Sequence, residues 1–408
     1  MNSGDTAWLL ASTALVMLMT PALAFFYGGM VRRKNLLSTI MMSFAILCMV
    51  SVLWIIYGYT MAFGPDVKGL IGNFSWFGLT GVGQDPSTVY ATTVPHLAFV
   101  AFQATFAIIT VALWTGAVVE RIKFGALMAF AALWFTLVYC PIAHWVWGSG
   151  GWLAQLGALD FAGGTVVHVN AGISALALAM VLGPRRGFRE GESMEPNNIP
   201  FVVLGAAMLW FGWFGFNAGS ALTAGGLASS AFITTNTAAA AAGFTWMVLG
   251  WINRRPSVLG AATGAVVGLV AITPAAGYVQ PWAAIPIGAI GSIISYYVML
   301  WRARASKLDE SLDVFACHGM GGTWGALATG IFATTAVNSA GSGLIDGNWK
   351  QVLIQVVAIA ATMVYAFGVS WLLAKALKAT MGLRVKEEEE AVGLDISQHG
   401  ENAYGGVS

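Results

Sequence analysis

The stretch "DFAGGTVVHVNAGISALALAMVL" runs from Asp160 to Leu182. An aspartate opens it, His168 stands eight residues later, and every later side chain is small or apolar. A helix needs roughly 20 residues to cross the ~30 Å hydrocarbon core of a bilayer, so this run is long enough to span it. Only 9% of the chain is charged. An ionisable imidazole inside an apolar run is costly and by default hints at function.

The remainder of the chain has the same character. Its 408 residues are 58% hydrophobic, include 50 glycines and have a mean hydropathy of +0.74. A soluble chain of that length could not hide so much apolar surface, so the sequence predicts an all-α polytopic membrane protein in a lipid bilayer. The net charge of +1 argues against a nucleic-acid partner. Cys48, Cys140 and Cys317 lie in apolar stretches without CxxC spacing and read as buried packing residues, not as a disulfide framework or metal site. The opening "LLASTALVMLMTPALA" resembles a signal-peptide core. It has no positive segment before it and "RRK" (Arg32–Lys34) after it, so it reads as a first span.

Apolar runs between polar or Gly/Pro breaks predict eleven spans. They lie near residues 6–31, 36–62, 97–119, 124–146, 162–182, 199–221, 229–252, 257–274, 281–301, 315–335 and 351–379. Basic residues test the count, because cytosolic loops collect them. The loops after spans 1, 3, 5, 7 and 9, with the end of span 11 and the tail, hold 17 of the 19 Lys and Arg; only Lys68 and Lys350 fall on the other side. The alternation predicts an N-terminus outside and a C-terminus in the cytosol.

Ten spans divide into two sets of five. An odd number of crossings reverses the second copy, so such a repeat must be inverted in the membrane. The fifth span of each half carries a single histidine beside small residues, "HVNAG" at His168 and "CHGMGG" at His318. The expected division is residues 1–183 and 199–336 as the two inverted five-span halves, 350–380 as an eleventh helix, and 381–408 as a cytosolic tail. Such repeats place their site near the midplane, which gives His168 a partner.

Other titratable residues have plainer roles. His96 and His144 fall at outer span ends, where interfacial packing is the expected job, and His399 lies in the tail. Asp160 reads as an N-cap that could also bias cation access from the outer side. Glu120 and Asp313 lie at inner span ends among basic residues and suit salt bridges or caps. No Walker loop, GxSxG elbow, HExxH or dinucleotide fingerprint occurs in a workable context, so neither an ATP-driven pump nor a membrane hydrolase is expected. No cofactor or metal is implied.

Seven segments then carry a resemblance. "AFFYGGMVRRKN", "FQATFAIITVALWTGAVVERIKF", "PIAHWVWG", "GALDFAGGTVVHVNAG", "GWFGFNAGS", "DVFACHGMGG" and "GLDISQHGENAYG" together resemble the ammonium transporter (Amt/Mep/Rh) family, on its Amt side. The likeness runs from the first span to the tail in family order. It implies a homotrimer in the cell membrane with a separate pore in each subunit. The paired pore histidines fall on His168 and His318, and the stacked phenylalanines closing the outer mouth on Phe106 and Phe216. Ser220 corresponds to the ammonium-recruiting serine, and Trp147, chosen over Trp145 and Trp152 by its place before a glycine, to the aromatic beside it. Asp160 corresponds to the family's fifth-span aspartate. The tail implies regulation by a cytosolic PII-type nitrogen-signalling protein.

Physical chemistry suits those roles. Ammonium offers four donors and a positive charge, for which an aromatic face and a hydroxyl replace part of the hydration. Taking the intact ion through a dry pore costs at least several kcal/mol. Deprotonation near Phe106 and Phe216 followed by passage of neutral ammonia avoids that cost, and potassium has no proton to give up. The resemblance also brings in methylammonium as a second substrate. Three rivals remain: an ammonium sensor with little flux, a membrane haem protein with His168 and His318 as axial ligands, and an ion-driven carrier, which the scarcity of buried carboxylates disfavours.

Overall fold

The computed structural model describes residues 1–253, 255–305 and 308–404. Two basic residues used above, Arg254 and Lys307, and Gly405 of the tail segment lie outside the described residues. Among the described residues, eleven helical segments stand where the apolar runs predict spans. They are α1 (Ser3–Met30), α2 (Arg33–Phe63), α3 (His96–Ala117), α4 (Phe124–Leu156, interrupted at 148–151), α5 (Gly164–Leu182) and α6 (Ile199–Ala221). The second half continues with α7 (Gly226–Asn253), α8 (Val258–Ile272), α9 (Pro281–Arg304), α10 (Phe315–Met320 followed by Gly321–Phe332) and α11 (Lys350–Thr380). Eight are long and apolar enough to cross a membrane; α7, α8 and α10 are shorter or less apolar.

Local chemistry sets several boundaries. Asn2, Asn198 and Ser257 each accept a backbone N–H from the first turn of α1, α6 and α8, satisfying donors that a helix start leaves open. The interruption in α4 falls on Gly148, Gly150 and Gly151. A Cβ on Gly151 would strike the carbonyl of His144, and one on Gly150 the Asp66 side chain.

The helices pack through small residues, as expected where lipid is as apolar as the side chains. The first helices of the two halves, α1 and α6, make the most extensive contact in the molecule. Gly205, Gly212, Gly215 and Gly219 form the α6 side of it. A Cβ on any of them would strike Phe26, Met19, Leu15 or Ser12 of α1. Helix α5 occupies the centre, with 89% of its apolar window buried, whereas α11 lies at the periphery with 28%.

Outside the bundle, residues 64–95 form a cap of two small antiparallel hairpins, β1 (Asp66–Val67) with β2 (Ile71–Gly72) and β3 (Pro86–Ser87) with β4 (Ala91–Pro95). His144 fastens the cap, with Nδ1 2.9 Å from the Ala62 carbonyl and Nε2 2.9 Å from Asp66. His96 bonds Tyr59 and meets Trp76 edge to face. Both histidines pack at the span ends beside this cap, the packing role anticipated for them. Cys140 and Cys317 are buried, but Cys48 is exposed on the outer surface of α2, which corrects the expectation of three buried thiols. Its helix turns that face away from the bundle, and composition alone does not show helix rotation.

The face opposite the cap is held by buried ion pairs. Glu120 pairs with Arg32 and, at 2.9 Å, with Arg185, and Arg185 pairs with Asp309 at 2.8 Å. Burial pushes the Glu120 and Asp309 carboxyls up, yet the guanidinium contacts overcome it and hold both below their ordinary values. Arg121 donates to the carbonyls of Ala117, Val119, Gly183 and Asp309 and to Ser311 Oγ, closing several chain ends with one side chain. Burial lowers its guanidinium to about 10.

Composition alone reads the tail as solvated and unstructured. In the structure it is ordered and docked. Two short helices, α12 (Glu387–Val392) and α13 (Leu394–His399), lie against the inner loops. Asp395 accepts from Ser38 N at 2.7 Å, Asn35 Oδ1 accepts from Leu394 N at 2.9 Å, and Glu390 takes Arg186 N and the Arg384 guanidinium, both at 2.6 Å. Val385 N donates to the Arg121 carbonyl, and Arg33 lies 4.7 Å above the Tyr404 ring. The tail's polar residues are therefore paired with groups far away in sequence.

Candidate functional site

His168 and His318 lie on helices wound more widely than an α-helix. Residues Gly164–Val169 and Phe315–Met320 form π turns at the starts of α5 and α10. Such turns are rare and frequent at functional sites. Gly163, at φ +120°, turns the chain into the first of them, and a Cβ there would also strike Val167.

Each π turn is capped by a carboxylate eight residues before its histidine. Asp160 Oδ1 accepts Gly163 N at 2.7 Å and Gly164 N at 2.6 Å; Oδ2 accepts Thr165 N at 2.8 Å, Val166 N at 3.2 Å and the Thr165 hydroxyl. In the second half Glu310 takes Val314 N at 3.0 Å on one oxygen and Phe315 N at 3.2 Å on the other. The expected N-cap role of Asp160 is thus present in its geometry. Glu310 escaped the sequence reading, although its eight-residue spacing from His318, the same as that of Asp160 from His168, was a signal. Asp313 pairs with Arg302 at 2.6 Å, the salt bridge anticipated at that inner span end.

Glycines let the two turns cross. A Cβ on Gly172 would run into the Gly319 backbone, and one on Gly322 would lie 2.9 Å from His168 Cβ. The crossing sets His168 Nδ1 3.1 Å from His318 Nδ1, with ring centroids 5.2 Å apart. Two imidazoles at that separation share one proton: one nitrogen donates while the other accepts. His168 Nε2 is buried with no hydrogen-bond partner. Trp213 stacks on His168 at 5.5 Å and is fixed by its indole N–H to Thr273 Oγ1 at 2.9 Å. Around the pair, Leu23, Ile109, Leu113, Leu209 and Phe216 help line a narrow void of ≈ 10 Å³, about the room that one water-sized molecule needs.

Above the histidines, Phe106 and Phe216 stack with centroids 4.2 Å apart and rings inclined by 22°. Both are fully buried, and the Phe216 ring lies 6.2 Å from His168. On the cap side of the stack opens a cavity of ≈ 350 Å³, lined by Gln103, Phe106, Trp147, Asp160, Ser220 and Tyr278 among others; on the expected orientation this is the outer cavity. Trp147 meets Phe106 edge to face at 5.9 Å and is held by its indole N–H to the Asp160 carbonyl. Ser220 Oγ donates to the Phe216 carbonyl at 2.8 Å, so its lone pairs remain free to accept. Trp145 and Trp152 pack against each other instead, and Trp145 bonds the Leu70 carbonyl. Of the three tryptophans only Trp147 lines this cavity. Beyond His318, on the side away from the cap, lies a second cavity of ≈ 550 Å³, the inner one on the expected orientation.

The molecule therefore brings all seven sequence-selected residues onto one path: outer cavity, stacked rings, twin imidazoles, inner cavity. The wall offers hydrogen-bonding groups at the outer mouth and midway, and apolar surface between. Among the described residues no cluster of three or more His, Cys, Asp or Glu is arranged to hold a metal.

Comparison with known proteins gives a consistent result. Residues 7–404 match the Ammonium Transporter Family. The chain is 52% identical over 406 residues to an ammonium transporter of Bacillus subtilis, covering 99% of each chain. The crystal structure of Candida albicans Mep2 superimposes with a TM-score of 0.90 at 35% identity, covering 99% of this chain and 90% of that one. A sensor Amt protein superimposes with a TM-score of 0.89 at 31% identity, covering 97% and 98%.

Proposed function

The chain belongs to the Ammonium Transporter Family, and from that premise we propose that it is an ammonium transporter that takes up NH4+ at the outer cavity, deprotonates it at the Phe106–Phe216 stack with the proton passing to the His168–His318 pair, and passes ammonia along the same pair. The observation that carries this reading is the sequence of barriers along one path. A roomy cavity carrying Gln103, Asp160 and Ser220 leads to a closed pair of phenyl rings, and behind them lies space for about one small molecule beside two imidazoles.

Trp147 and Ser220 are assigned recruitment. A cation gains from the indole face, worth ~0.5–2 kcal/mol at a partly exposed site, and an N–H donor gains from the free lone pairs of a hydroxyl already committed to Phe216. Phe106 shares in recruitment and forms the gate with Phe216. Stacked rings offer no acceptor to a hydrated ion, so passage of the intact cation is penalised by desolvation while neutral ammonia is not. His168 and His318 take the protonic part, with one ring donating and the other accepting. Asp160 acts through the backbone it caps and through its negative charge beside the outer cavity.

The same reading sets the chain in the cell membrane as a multi-pass protein, N-terminus outside and tail in the cytosol. It assembles as a homotrimer with one pore per subunit, divides at 1–183, 199–336, 350–380 and 381–408, accepts methylammonium as a second substrate, and offers its inner face and tail to a PII-type signalling protein. The function is transport, not catalysis.

The test is electrical. In proteoliposomes the protein should carry ammonium-dependent current and exclude potassium. His168→Ala or His318→Ala should abolish the current or admit potassium. A potential of 100 mV drives a moving elementary charge by ~2.3 kcal/mol, so current should follow voltage in a way that neutral ammonia alone could not. A double His→Ala protein with wild-type current and wild-type potassium exclusion overturns the histidine mechanism. Ammonium binding without flux would favour a sensor, a reading to which the likeness to a sensor Amt protein lends weight.

A further inference from the structure

The two cavities carry opposite charge. Of the described residues lining the outer one, Asp160 alone is charged, and no Lys or Arg is among them. The inner cavity is lined by Arg255, Arg304 and Asp313. Asp313 is neutralised by Arg302 at 2.6 Å, while Arg255 and Arg304 are exposed and make no ion pair among the described residues. The positive-inside rule accounts for basic residues anywhere on the cytosolic face. It does not account for two unpaired guanidiniums on the wall of the pore's inner mouth.

We propose that Arg255 and Arg304 make the inner mouth an electrostatic barrier to cations, so that ammonium loads the pore less readily from the cytosol than from outside. The proposal rests on the ammonium route and membrane orientation given above. A passive pore cannot pump. At zero voltage the ratio of maximal rate to half-saturating concentration stays equal from the two sides, and the asymmetry shows in the half-saturating concentration itself. Two unit charges about 10 Å from an ion in water lower its local concentration roughly three-fold at 0.01 M salt and roughly 1.5-fold at 0.15 M, as screening shortens their reach. Neutral ammonia leaving the pore is indifferent to them. The arrangement therefore thins cation access from within.

The experiment uses vesicles sorted by orientation on an affinity tag at the C-terminus, with ammonium chloride added from one side. In R255Q/R304Q the half-saturating concentration from the cytosolic side should fall about three-fold at 0.01 M salt and about 1.5-fold at 0.15 M, with the outer-side value unchanged. R255E/R304E should lower it further. Both positions are exposed, Arg304 at the end of α9 and Arg255 in the loop before α8, and the outer-side value reports that each variant still folds. Equal cytosolic-side values in wild type and R255Q/R304Q at 0.01 M salt overturn the proposal. Failure of the recruitment reading is a separate result: an unchanged outer-side value in Trp147→Leu.

Discussion

Replacing Asp160 tests whether its carboxylate holds the pore together or merely faces it. Asp160→Ala strips acceptors from four backbone N–H groups and the Thr165 hydroxyl, all buried. Each buried donor left unpaired costs about 1–3 kcal/mol, so the four amides alone give ~4–12 kcal/mol. Removing the carboxylate returns the several kcal/mol spent on its own desolvation. A net loss of ~3–6 kcal/mol remains, a large share of the 5–15 kcal/mol that stabilises a typical fold. Asp160→Asn keeps one oxygen and its amides but turns an NH2 group toward the others, for a loss of ~2–4 kcal/mol. Thermal unfolding in detergent, followed by tryptophan fluorescence, should show the order wild type, Asn, Ala, with Ala lower by on the order of 10 °C. The Asn protein that survives should carry reduced current, because His168 rides on the turn that Asp160 caps. An Asp160→Ala protein that melts with the wild type would refute the capping argument. An Asn protein of wild-type stability whose half-saturating ammonium concentration rises steeply would reassign the residue to substrate contact.

Trp147→Leu removes a cation–π contribution of ~0.5–2 kcal/mol and should weaken apparent affinity several-fold while flux persists at saturating ammonium; an unchanged concentration dependence in uptake assays would point to Trp145 or Trp152. Truncation after Gly382 removes the docked tail and its bonds to Asn35, Ser38 and Arg186. Activity or block by a PII-type partner should change, and current recordings that show neither would remove the tail from regulation. Burial, with the Asp313 carboxylate beside it, pushes Glu310 up to about 7. A group raised in the fold contributes stability that is full below its unfolded value and lost as pH rises through its folded value. Wild-type stability, read as melting temperature, should therefore fall between about pH 4.5 and 7, by on the order of 3 kcal/mol in all, and level off above that. Glu310→Gln, which mimics the protonated acid, should flatten that slope; parallel pH profiles would show that Glu310 does not titrate there.

Much of this molecule is legible without coordinates, because membrane insertion leaves a coarse record. Apolar runs and alternating basic loops place eleven spans within a few residues of the helices observed, since both follow from bilayer thickness and charge. His168, His318 and Asp160 stand out against a background with few polar residues, whereas Trp147, one of 17 tryptophans, was reached only through the family resemblance. The features that stayed hidden depend on three-dimensional pairing. Glu310 sits in a polar inner loop where carboxylates are ordinary, so nothing marks it except its spacing from His318. The tail reads as solvated because its partners, Asn35, Ser38 and Arg121, lie more than two hundred residues away. Cys48 is exposed because helix rotation is unspecified in a run that is apolar on every side.

The π turns that carry the two histidines have a consequence for how such a chain tolerates change. A π turn is an α-helix with an extra residue wound into it. The direction in which His168 points therefore depends on the number of residues between Asp160 and the ring as well as on their chemistry. Losing one residue from that interval would rotate the imidazole by ~100° about the helix axis, out of the pore and into neighbouring helices. The same holds between Glu310 and His318. Side chains in these two intervals can vary in kind wherever packing allows, but the spacing itself has no slack. Insertions and deletions belong in the loops, while the eight-residue intervals act as two rulers laid from opposite faces of the membrane.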